Sequence, residues 1–207
     1  MRSASLVAAF AALVAATTAS LPAHAASVEQ NEAFQKQIFG RTIAKNRIHA
    51  CFKRVYDAPH LASHPQQNVR TMTLLVTGKG DDPAMPTYDL GIGVTFRKSG
   101  SHFETYGSCG TIGDGTPQGG KANVVNCGVD CDGGSIDVTL KNEKSVLVSI
   151  PEGARIWKAG KPSDDEHDES RRFGSDDKLF RLDRTQLSDC LPLADDDDEK
   201  AELRKGQ

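Results

Sequence analysis

The stretch Val124–Leu140, VVNCGVDCDGGSIDVTL, constrains this chain most: two strand-like runs meet at a turn, with two cysteines four residues apart. Asp132-Gly133-Gly134 tolerates positive φ, so the chain can reverse there. Beyond the turn, Ile136, Val138 and Leu140 alternate with Asp137, Thr139 and Lys141 as a half-buried strand requires. The result is a hairpin, and Cys127 and Cys131 make it a meeting point of sheet and disulfides.

The same period of two recurs along the chain. Met72, Leu74 and Val76 alternate with threonines, and Leu90, Ile92, Val94 and Phe96 with Gly91, Gly93 and Thr95. Further strands are expected over 102–109, 122–130, 135–141, 144–150, 154–158 and 178–183. About eight strands with short antiparallel links give a mainly β fold, a meander closing as a small barrel or sandwich, because an open sheet would leave edges exposed. Val28–Tyr56 reads as an N-terminal helix from the spacing of Phe34, Ile38, Phe39, Ile43, Ile48 and Phe52, with Gly40 a break. Residues 26–68 thus form a helical and irregular segment and 69–193 the β domain. The charged stretch 161–177 is expected to be a loop and the acidic run 194–207 to be disordered.

Residues 1–25 have the pattern of a secretory signal: Arg2, an uncharged apolar run Leu6–Ala16, then Ala23-His24-Ala25. Thr17, Thr18 and Ser20 interrupt the run before it reaches the ~20 apolar residues a membrane span needs. Cleavage leaves 182 of 207 residues, enough for one domain, with no membrane span and a periplasmic or secreted location. The leader takes one of 25 bases, so 24 face 28 acids, and no general attraction to nucleic acid follows. Charge is uneven: 163–207 holds 15 acids against 8 bases, and 26–162 holds 13 against 16.

All five cysteines, Cys51, Cys109, Cys127, Cys131 and Cys190, follow the leader, and an oxidising compartment favours pairing. On one extended strand Cys127 and Cys131 stand ~13 Å apart, beyond disulfide reach. Cys109 is then expected to bond Cys127 or Cys131, and Cys51 to bond Cys190 across the ends of the β region. A leftover Cys131 is a buried thiol, or a reactive or intermolecular one.

The remaining motifs are incomplete. GTPQGGKA at Gly115–Ala122 approaches a phosphate loop, but Ala122 lacks the magnesium-binding hydroxyl and a strand follows where a helix is required. With Gly133 in the glycine position of a calcium loop, Gly128 and Thr139 fall where carboxylates are needed. The lone C-x3-C has no second pair to make a zinc site. His60 and His64 can share a helical face, near Asp57 and His49, as transition-metal ligands; no HExxH glutamate is present. No G-x-S-x-G elbow accompanies the serines, and a Cys131/His102 pair has no known cysteine-enzyme context. The sequence therefore assigns no catalytic residue, no metal and no cofactor.

Cys51, YDAPHLASHP, CGVDCDGG and DDKLFRLDR together resemble a group of exported alphaproteobacterial proteins of unknown function. The likeness runs roughly from Cys51 to Leu193 and implies export and a β-rich fold. It carries no activity or ligand.

Three functions are consistent with this reading. The first is a non-catalytic binding module for a small molecule or an envelope protein. The second is an enzyme using Cys131 or the histidines near His60. The third is an inhibitor presenting the loop Gly110–Lys121.

Overall fold

A computed structural model describes residues 23–80, 86–110, 123–129, 132–160 and 173–206. Helix α1 (Ala23–Phe39) leads into strand β1 (Ile48–Val55), short helix α2 (Ala58–Ser63), β2 (Val69–Lys79) and β3 (Thr87–Phe96). β4 (His102–Cys109), β5 (Val124–Val129), β6 (Ser135–Asn142) and β7 (Ser145–Ser149) follow. The chain ends with β8 (Trp157–Lys158), β9 (Leu179–Arg184), a 3-10 helix (Leu187–Leu193) and α3 (Asp197–Lys205).

The strands lie in the order β3-β2-β1-β9-β7-β6-β5-β4, and pairing of β3 with β4 closes an eight-stranded antiparallel barrel. β8 is an extra strand that shares one edge of β4 with β5, opposite Phe103 and Glu104. The expected mainly β meander is therefore a barrel rather than a sandwich. Alternation decides what lies inside: Phe52, Met72, Leu74, Ile92, Ile136 and Phe180 point inward and are fully buried. Each such side chain contributes about 1.5–3 kcal/mol through burial. The interior is thus filled by side chains.

The anchoring hairpin turns where the glycines allow it. Asp132 (φ 55) and Gly134 (φ 98) take left-handed conformations, and Val129 N donates to Gly134 O at 2.9 Å. β5 and β6 then pair with Cys127 opposite Ile136. Cys127 also faces Cys109 across β4 and is bonded to it, so the disulfide staples two adjacent strands. The second disulfide joins Cys51 on the outer face of β1 to Cys190 in the 3-10 helix. Both fit the expected pairings. Cys131 lies outside the described residues.

Two expectations about secondary structure are corrected. The N-terminal helix ends at Phe39, where Gly40 (φ 79) supplies a left-handed cap and donates to Lys36 O at 3.0 Å. Ile48–Val55 is a strand, because Ile48 and Phe52 are four apart and fit both periods, while pairing with β2 along its whole length selects the period of two. Burial of Ile48 through Phe52 on both faces had removed the polar alternation that marks a strand.

The acidic run beyond Leu193 is helical. Asp196 caps α3 by accepting from Glu199 N at 2.6 Å, and Glu199 Oε2 accepts from Asp195 N at 2.7 Å. Leu203 then joins Leu75, Leu193 and the Cys51–Cys190 pair in a second apolar cluster outside the barrel. Of the expected acidic loop, 161–172 lies outside the described residues, while 173–177 packs through Phe173 against Phe96 at 5.8 Å.

Candidate functional site

The outer face of β3 and β4 carries the best-formed group of polar and aromatic side chains. On β4, alternation turns His102, Glu104, Tyr106 and Ser108 outward, opposite Thr95, Gly93, Gly91 and Asp89. The two glycines leave β3 bare, so the facing side chains lie down across it. A Cβ at Gly91 would meet the Tyr106 ring at 3.1 Å, and one at Gly93 would meet His102 Nε2 at 2.7 Å. Leu193 of the 3-10 helix packs over both glycines.

Glu104 organises this face from beneath. It is only 8 % exposed; Oε2 accepts from the Tyr106 hydroxyl at 3.4 Å and Oε1 from Gly160 N at 3.2 Å. Trp157 of β8 flanks Tyr106 with ring centroids 5.9 Å apart. Burial, then the charge of Glu104 and its hydrogen bond, raise the Tyr106 phenol well above its ordinary value, and Asp195 and Glu199 add to the shift. His102 is lowered, chiefly by burial, and its Nε2 is buried without a hydrogen-bond partner among the described residues.

Beside Tyr106 the 3-10 helix and α3 overhang the sheet and enclose a groove of about 210 Å³. Its floor is Leu75, Thr77, Gly91 and Ser108, and its overhang Leu193, Asp195 and Glu199. Two basic side chains also line it, each already paired: Lys79 with Asp89, and Arg47 with Asp196 at 3.0 Å. The overhang is held by a buried polar network. Thr77 Oγ1 donates to Glu199 Oε1 at 2.8 Å, and His49 Nε2 lies 2.8 Å from Glu202 Oε2. Burial of Leu203 and the Cys51–Cys190 bond complete the attachment.

The sequence-selected histidines lie elsewhere. Asp57 caps α2 by accepting from His60 N at 2.9 Å. His60 Nε2 is 3.0 Å from Gln67 Oε1, and His64 Nδ1 is 2.9 Å from His60 O. Their rings stack at 4.2 Å, 17° from parallel, so the nitrogens do not converge on one point. His49 belongs to the α3 network, far from that pair in the fold. Among the described residues no group of three or more His, Cys, Asp or Glu is arranged to hold a metal ion. The pairing of His102 with Cys131 falls outside the described residues with Cys131, as does most of the loop Gly110–Lys121.

Sequence reasoning passed over Glu104, Tyr106 and the overhang. Two signals were present. Gly91 and Gly93 at alternate positions of an otherwise apolar strand mark a close approach, and Asp196-x-x-Glu199 has the spacing of a capping box. No protein-family model matches the chain, and comparison with curated proteins and with solved structures gives no match either.

Proposed function

We propose that this chain is an exported, non-catalytic binding module, periplasmic or secreted, that holds a small, positively charged polar molecule in the groove beside Tyr106. One observation carries the reading: three carboxylates, Asp89, Asp195 and Glu199, line the groove beside a partly apolar floor. Burial and then Glu104 raise the Tyr106 phenol, and the hydrogen bond to Asp89 raises Lys79, with Asp195 and Glu199 adding to both shifts. The basic side chains on the groove are already paired, which leaves Asp195 and the Tyr106 and Ser108 hydroxyls to meet a ligand cation. Leu75, Gly91 and Leu193 provide the surface for its apolar part. Because side chains fill the barrel, binding falls to the outer face.

Two disulfides support an oxidising compartment. No helix among the described residues is long and apolar enough to cross a membrane. Cleavage before Ala26 leaves Phe34, Ile38 and Phe39, which seat α1 on the barrel, in the mature chain.

Calorimetric titration with matched small amines and carboxylates tests the ligand class. Amines are expected to bind saturably, and Asp195→Asn to weaken them about tenfold, as expected for loss of a charge-assisted hydrogen bond. Equal binding of carboxylates, or amine binding unchanged by Asp195→Asn, would refute the assignment.

A further inference from the structure

We propose that the basic concavity at the end of α3 is a binding site for a phosphate-bearing anion. It holds about 550 Å³ and is walled by three segments: the turn after α1, the start of β1 and the end of α3. Its lining sets the bases Arg41, Lys45, Arg47 and Lys205 against one acid, Glu202. The whole chain has 25 bases and 28 acids, so the balance of charge is reversed here. Arg47 also lines the groove beside Tyr106, but the site does not rest on the reading of that groove.

Pairing divides these charges into two groups. Arg47 donates to Asp196 at 3.0 Å and lies 3.4 Å from Glu202 Oε2, and His49 Nε2 stands 2.8 Å from that same oxygen. The Arg47 fork is thereby spent on carboxylates. Arg41, Lys45 and Lys205 are exposed and make no ion pair among the described residues. Leaving His49 aside, Arg47, Asp196 and Glu202 sum to one negative charge and the three free bases to three positive, a surplus of two. Arg41 and Lys205 stand near the ends of α1 and α3, where a base answers the helix dipole. Lys45 has no such role, yet it shares the same wall.

The backbone beneath the free bases is clamped. Gln35 Oε1 accepts from Ile43 N at 2.8 Å, and Ile43 packs on the barrel core. A Cβ at Gly78 would lie 2.6 Å from the Ile43 side chain and one at Gly80 1.9 Å from Ala44 O, so both glycines admit the turn against the end of β2. Across the concavity, the Asp196 cap, buried Leu203 and the His49–Glu202 contact hold α3. A frame fixed before the ligand arrives lowers the ordering cost of binding. The charge surplus selects the ligand: a phosphate monoester carries about −1.5 to −2 at pH 7, whereas a single carboxylate carries only −1. Its oxygens also suit the donors present, the Arg41 fork, the two lysine ammonium groups and the Asn46 amide.

The test titrates the full mature chain, labelled for NMR, with inorganic pyrophosphate, and with acetate as the monovalent control. Pyrophosphate should bind saturably and shift the amides of Arg41, Lys45, Asn46 and Lys205, and acetate should bind at least about tenfold more weakly. The exposed double substitution Arg41→Gln with Lys45→Gln should weaken pyrophosphate about tenfold or more, through lost charge-assisted contacts. Arg204→Gln, at an exposed base of α3 outside the concavity, should leave binding unchanged. A second arm sediments the protein with phosphatidylglycerol vesicles. Retention that pyrophosphate displaces assigns a lipid headgroup, and absence of retention assigns a soluble phosphate ester; both support the site. No saturable pyrophosphate binding, acetate binding as tightly, binding unchanged in the double variant, equal weakening by Arg204→Gln, or vesicle retention that pyrophosphate does not displace would each overturn the proposal.

Discussion

Replacing Cys51 and Cys190 together by alanine should destabilise the barrel more than replacing Cys109 and Cys127. The outer bond closes 139 residues of chain and the inner bond 18. Loop-closure entropy assigns about 5 kcal/mol to the first and about 3 kcal/mol to the second. The structure favours the same order, because the Cys109–Cys127 pair joins neighbouring strands that also share a ladder, whereas Cys51–Cys190 attaches the 3-10 helix to β1. For a domain of this size the outer loss corresponds to a fall in melting temperature of roughly 10–20 °C, at 2–4 °C per kcal/mol. Urea denaturation followed by circular dichroism, on wild type and both double variants, measures the difference directly. If the inner pair proves the costlier to lose, or the outer loss stays within about 1 kcal/mol, the chain-entropy account of this fold fails.

Three further outcomes follow from particular contacts. Gly174→Ala places a Cβ 1.7 Å from Gln66 O, whereas Gly100 has open space; the first should cost about 1–3 kcal/mol or more in urea denaturation and the second little. His102, held neutral by burial, adds stability that is present above its ordinary value of 6.5 and is lost as pH falls through its lowered folded value. Wild type should therefore lose more stability between neutral and mildly acidic pH than His102→Gln, as read from urea midpoints. The same sign holds lower on the scale for Asp189, lowered by its hydrogen bonds from Lys53 and Thr185, and Asp189→Asn should flatten the stability slope in the carboxylate range. Finally, amino-terminal sequencing of exported protein should give a start at or within a residue or two of Ala26.

Much of the barrel was legible because its strands keep a period of two, on β6 because one face is solvated and on β3 because glycines stand on the covered outer face. Leu90 to Phe96 and Ile136 to Leu140 keep a clear alternation, and Asp132-Gly133-Gly134 announces its own reversal. The pairing of Cys51 with Cys190 could be reasoned from compartment and strand spacing. β1 was hidden because the 3-10 helix and α3 cover its outer face, so His49 and Cys51 are as buried as Ile48 and Phe52. The tail was hidden for a related reason: one buried leucine, Leu203, and a self-capping Glu199 order a run whose composition alone favours solvent. The groove inherits both difficulties, being built from two segments the sequence left without structure.

Native mass spectrometry of the protein taken from its own envelope tests the proposed function most directly. The expected spectrum shows the mature chain with a small cationic compound bound non-covalently, and the compound is depleted in Asp195→Asn prepared in parallel. A ligand-free chain in every preparation, or an anionic compound retained equally by both proteins, would contradict the assignment of the groove.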